Sequence, residues 1–93
     1  MKALSPEEIK KQLAATDGWK AGDNFIYKDF MFKNFSENFA FMTRVAMIAE
    51  ALNHHPDWSG GYKNLRINLS THDAGGISGL DFKFAEQVNK LLR

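Results

Sequence analysis

A chain of 93 residues makes one domain, residues 1–93, with no room for a second. Lys and Arg number 12 against 11 Asp and Glu, and a net charge of +1 supplies no field that would gather nucleic acid. Cysteine is absent, which removes disulfides, thiolate catalysis and Cys-based zinc sites together.

The start, "MKALSPEEIKKQ", turns polar at once and carries no signal-peptide core, and no apolar run is long enough to span a membrane. A cytoplasmic protein is the expectation. Ser5-Pro6-Glu7-Glu8 opens a helix: Ser5 caps, Pro6 suits the first helical position, and Glu8 completes a capping box. Leu4 and Ile9 are placed for a hydrophobic staple, and Ile9 with Leu13 makes a thin apolar stripe, so this helix docks lightly. It ends near Asp17-Gly18. Trp19 begins a short strand, and "FIYKDFMF" (Phe25 to Phe32) is aromatic enough for the next. Large apolar groups on both of its faces suggest a sheet partly covered on both sides.

Asn34-Phe35-Ser36-Glu37 reads as a second capping box, opening a long helix. Phe35, Phe39, Met42, Ala46 and Ala49 form one stripe on it, and Phe41, Val45, Ile48 and Leu52 form another beside it. Together they cover about half the circumference, more than one sheet can bury. Pro56 is expected to stop this helix, because the residue before a proline is pushed out of the α region. "WSGGYKNLRINLST" reads as a hairpin whose second strand turns Leu65, Ile67 and Leu69 to the core. "DAGG" is a loop, and Ser78-x-x-Asp81 caps a last helix with Leu80, Phe84, Val88 and Leu91 as its stripe. The fold expected is α+β, a two-layer α/β sandwich in the order α-β-β-α-β-β-α, with a four-stranded antiparallel sheet carrying its helices on one face.

Three histidines stand at two of the chain's breaks: His54 and His55 after the long helix, His72 after the hairpin. Taken singly, each could be a helix-end partner for terminal carbonyls. In a small two-layer fold, however, those ends can meet at one rim of the sheet, and histidine suits general acid–base work near neutral pH. Glu50 lies four residues before His54, the spacing of an i, i+4 pair, or else is a solvated surface charge. Asp81 falls inside the apolar arc of Leu80, Phe84, Ala85 and Val88, where a carboxylate needs a partner. It is either the cap of the last helix or a group that orients a ligand or a histidine. Trp58 and Tyr62 flank "SGG" and could stack on a flat heterocycle or simply pack the hairpin. A metal site is disfavoured, since adjacent histidine side chains diverge. "AGGISG" lacks the lysine of a phosphate loop.

The spaced set Glu50-x3-His54-His55-Pro56-x5-Tyr62-x9-His72-x8-Asp81 resembles the signature of the pterin-4a-carbinolamine dehydratases, also known as dimerisation cofactors of a homeodomain transcription factor. "FMTRVA" and "LSTHDAGGIS" are similar to that family as well, and the likeness runs from about Trp19 to Val88. Asn53 departs from the pattern, standing where an aspartate often precedes the histidine pair. The resemblance implies the same seven-element sandwich. It also implies dehydration of 4a-hydroxytetrahydrobiopterin, a product of aromatic amino acid hydroxylases, to the quinonoid dihydropterin plus water, in pterin cofactor recycling.

On that resemblance His54, His55 and His72 are the catalytic set, with His54 and His72 as proton carriers and His55 mainly holding the ring. Glu50, Pro56, Trp58, Ser70, Thr71 and Asp81 are the expected substrate-binding residues. No metal or cofactor is implied, because only protons and water move. The expected partner is a small pterin, with no nucleic acid bound directly and no membrane, in a homodimer or homotetramer. A protein-binding module, or a pterin-binding protein without catalysis, remains the alternative.

Overall fold

Helix starts follow the sequence closely. In the computed structural model, which describes residues 2–93, Ser5 and Glu8 form the reciprocal capping box at the head of α1 (Pro6–Ala14). Asn34 caps α2 (Phe35–Leu52) by accepting from the Glu37 N–H at 2.9 Å. Only half of the expected box forms there, because the Glu37 carboxylate accepts from the Lys33 N–H instead. Ser78 and Asp81 form a complete box at the head of α3 (Gly79–Leu91).

Between the helices lie β1 (Lys20–Ala21), β2 (Ile26–Met31), β3 (Asp57–Gly60) and β4 (Asn64–Leu69), and the segment read as a loop carries a 3-10 turn (His72–Ala74). The strands pair antiparallel in the order β1-β2-β4-β3. The expected α-β-β-α-β-β-α sandwich is therefore the observed one.

Strand alternation sorts the side chains. Ile26, Lys28 and Phe30 stand opposite Leu69, Ile67 and Leu65 on the inner face, and Trp58 joins them from β3. The helices cover that face with Phe41, Val45, Ile48 and Ala49 from α2 and Phe82, Phe84, Ala85 and Val88 from α3. No residue of α1 is buried, in keeping with its thin stripe. The outer face is polar. Across it Arg66 grips Asp29 with two bonds of 2.7 and 2.9 Å and lies over the Tyr27 ring. Those bonds hold the Asp29 carboxyl below its ordinary value. The expectation of cover on both sides fails within the chain: Met31, on that outer face, is exposed.

Of the two stripes predicted on α2, one docks fully and the other only through Met42 and Ala49. Phe41, Val45 and Ile48 are buried, whereas Phe35 and Phe39 stay 53% and 57% exposed with their rings paired at 5.9 Å. Phe82 is buried, and Phe32, half-buried, stacks on Phe30 and packs against Phe41.

Asn38 has no counterpart in the hydrophobic pattern. It is buried on α2, and its Nδ2 donates to the carbonyls of Gly61, Tyr62 and Asn64, pinning the β3–β4 hairpin tip to the helix. Asn38→Ala should cost about 1–3 kcal/mol, the toll of leaving buried polar groups unpaired. At about 4–8 °C per kcal/mol for a domain of this size, thermal melting resolves the change. An unmoved melting temperature would mean the tip is held by its own turn.

Candidate active site

The site begins with the way α2 ends. The helix stops at Leu52, before Pro56 can act, because Asn53 adopts the left-handed conformation with φ 49° and ψ 47°. Asparagine tolerates that region better than most residues. The Asn53 N–H returns to the Glu50 carbonyl at 3.2 Å and the His54 N–H to the Ala49 carbonyl at 3.0 Å, the two bonds of a Schellman motif. The reversal places His54 outside the helix, so the Glu50–His54 pairing expected from i, i+4 spacing does not form. Glu50 instead approaches His55 at 3.9 Å, both mostly in water at 86% and 66% exposure. An ion pair of that kind contributes little.

His54 turns inward. Its Nε2 lies 2.6 Å from Asp81 Oδ1, and its ring stands edge-on to Phe84. Asp81 is 0% exposed. Its other oxygen accepts from the Thr71 hydroxyl at 2.8 Å and the Ser78 N–H at 2.9 Å, and Thr71 also meets the Ser78 hydroxyl at 2.6 Å. The two roles weighed for Asp81, helix cap and histidine partner, are thus filled at once by its two oxygens. An ionised carboxylate can only accept, so the tautomer that fits this short bond carries its proton on His54 Nε2.

His72 opens the 3-10 turn, and an antiparallel bridge between Thr71 and Gly76 closes the loop that carries it. The turn ends on Gly75 at φ 75°, a conformation most side chains resist. Among the described residues the His72 ring has no hydrogen-bond or ion-pair partner, and the residue is exposed.

His54, His55 and His72 line one cleft of about 360 Å³, with Ser70, Thr71 and Leu80 in its walls. That volume lies near the low end of the roughly 300–1,000 Å³ usual for small-molecule sites. The expected convergence of both chain breaks at one rim is therefore what the fold produces. Ser70 and Thr71 lie in the cleft, and Asp81 lies behind it. Glu50, Pro56 and Trp58 sit on the far side of His55, around a second hollow floored by Ala46 and Ala49. Tyr62 is not brought near: it is exposed at the hairpin tip, with Lys63 over its ring. Sequence reasoning noted Asn53 only as a departure from the family pattern, not as the residue that ends the helix, and passed over Asp73 and the second role of Ser78 as a support for Asp81. Only Asn53 carried a local signal, as an asparagine at a helix end. Among the described residues, no three carboxylate or imidazole groups gather as a metal site would need, and no helix is long and apolar enough to cross a membrane.

The sequence profile of the family described as "Pterin 4 alpha carbinolamine dehydratase" matches residues 2–91. The chain belongs to that family. A Mesorhizobium japonicum relative provisionally named pterin-4-alpha-carbinolamine dehydratase is 48% identical over 88 residues, covering 92% of this chain and 90% of its own. One from Prochlorococcus marinus strain MIT 9515, named likewise, is 44% identical across 95% of this chain and 92% of its own. The crystal structure of a "transcriptional coactivator/pterin dehydratase" from Brucella melitensis superposes with a TM-score of 0.93 at 38% identity, covering 97% of this chain and 98% of that one. Family membership thus rests on nearly the whole chain, somewhat beyond the span from about Trp19 to Val88 over which the sequence resemblance runs.

Proposed function

We propose that this chain dehydrates a 4a-hydroxytetrahydropterin by histidine acid–base catalysis. The observation that carries the reading is the His54–Asp81 bond, buried behind a cleft that two further histidines line. In the reaction the C4a–O bond breaks, the departing hydroxyl takes a proton, N5 gives up its own, and a C4a=N5 double bond forms. Nothing is oxidised, and one proton enters for each that leaves. Two imidazoles suffice for that exchange, and no hydride or phosphoryl carrier is required. Asp81 fixes the His54 tautomer and steadies the imidazolium when it forms, as a positioning residue out of reach of the substrate. His72 is the second proton carrier, and His55, Ser70 and Thr71 bound the ring's seat.

The test is direct. Freshly made 4a-hydroxytetrahydropterin should lose water faster with the protein than in buffer alone, and EDTA should leave the rate unchanged. A rate equal to buffer would remove the enzyme reading. A loss with EDTA that zinc restores would replace the mechanism with a metal-assisted one. Were the chain a protein-binding module and nothing else, the pterin would be inert to it; the Brucella melitensis relative is named for both roles, coactivator and dehydratase.

Self-association belongs to the same reading. Phe35 and Phe39, their rings paired, and Met47 further along α2 stand in water, and large exposed apolar patches are uncommon on soluble monomers. A symmetric dimer or tetramer would cover them. Sedimentation at micromolar concentration should give a multiple of 10.6 kDa, and Phe39→Glu should shift it downward. A clean monomer for the unaltered chain would show that the face tolerates water.

A further inference from the structure

We infer that a second lobe of the cleft, built around Asp23 and Asp57, selects substrates by the charge of the arm they carry beside N5. It admits neutral or cationic arms and turns away anionic ones. The inference rests on the dehydratase reading and deepens it.

The lobe has about the same volume as the first, about 370 Å³, and the two share His55 and Ser70 in their walls. They therefore adjoin at those two residues. A pterin whose C4a–N5 edge faces the histidines carries C6 next to N5, so a C6 substituent leaves the ring at the reacting edge. From there the shared wall leads into the second lobe.

That lobe is polar and anchored. The Ser70 hydroxyl donates to the Asn24 carbonyl at 2.9 Å, and the Asn24 amide donates to the Gly75 carbonyl at 3.1 Å. These bonds tie the β1–β2 turn, which carries Asp23, to the loop that carries His72. Asp57 enters from the first position of β3, opposite Asn68 of β4. Asn68 Oδ1 is buried with no hydrogen-bond partner among the described residues.

Charge decides what the lobe accepts. Neither Asp23 nor Asp57 has a side-chain hydrogen bond or ion pair among the described residues. Asp73 adds a third carboxylate in the histidine lobe, and no lysine or arginine lines either one. An arm bearing hydroxyls meets acceptors it can donate to. One ending in a carboxylate meets like charge with no lysine or arginine to answer it.

The experiment compares kcat/KM for two 4a-hydroxytetrahydropterins, one with a 1,2-dihydroxypropyl group at C6 and one with a carboxylate-ended arm there. The unaltered protein should favour the first by about tenfold or more, the scale of one close like-charge contact near a surface. The ratio should fall at least about threefold in the Asp23→Asn, Asp57→Asn double variant. It should fall as well for the unaltered protein between about 0.01 and 1 M salt, where screening shortens the reach of the carboxylates. A ratio near one, or a ratio that neither the double variant nor salt moves, overturns charge selection while the dehydratase reading stands. Failure of the unaltered protein to accelerate either substrate sinks both.

Discussion

His54→Ala lowers kcat for dehydration by about 10²–10⁴-fold, the usual worth of a positioned proton donor or acceptor, and His72→Ala does the same. The two variants part company in stability. His54 is the buried partner of Asp81 Oδ1, so its loss strands a carboxylate oxygen and costs about 1–3 kcal/mol. His72 is exposed with no side-chain bond to lose, and its replacement stays within about 0.5 kcal/mol. Steady-state kinetics and a melting curve on both variants give the pattern: two rate losses, one stability loss. His55→Ala should raise KM more than it lowers kcat if that ring only seats the pterin. Full activity in both the His54 and His72 variants would end the mechanism.

Asp81→Asn should lower turnover on a similar scale while the protein stays folded. Asparagine can keep its oxygen on the side of Thr71 and the Ser78 N–H, the bonds that cap α3. Its amide then donates to His54 Nε2, which must accept, and the imidazole proton is driven to Nδ1. The nitrogen that should exchange protons is thereby put in the opposite state, an effect on rate with little effect on packing. The expected loss of stability is about 1–2 kcal/mol, from replacing charge-assisted bonds with neutral ones. Asp81→Ala removes cap and partner together and should cost about 3 kcal/mol or more. If Asp81→Asn loses stability but keeps its rate, the carboxylate is a helix cap and nothing else.

What could be read from the sequence was local. Ser5 and Ser78 announce their helices because a capping box is completed within four residues, and strand alternation assigned Leu65, Ile67 and Leu69 to the core. The end of α2 was misread for an equally local reason. Pro56 was an adequate terminator, but Asn53 had already reversed the chain, and the helical spacing from Glu50 to His54 lost its meaning there. Tertiary choices were not legible. Nothing in the two stripes of α2 says that Phe41 docks while Phe39 stays in water, since a sheet can receive either. The His54–Asp81 bond spans 27 positions. The helical wheel could say that Asp81 needed a partner, but not which one. Asn38 was missed because its partners are backbone carbonyls, which leave no mark in side-chain patterns.

The double duty of Asp81 constrains how this fold can drift over generations. A residue whose two oxygens serve a helix start and a histidine cannot be traded for one without disturbing the other, so substitutions there are selected on folding before activity is tested. His72 carries no such burden. A lineage that kept the scaffold for some other purpose could shed catalysis at His72 in one neutral step, whereas the same loss begun at Asp81 costs about 1–2 kcal/mol even through asparagine and more through any other residue. Non-catalytic descendants of such a protein should therefore be found with the buried carboxylate in place and the exposed histidine gone.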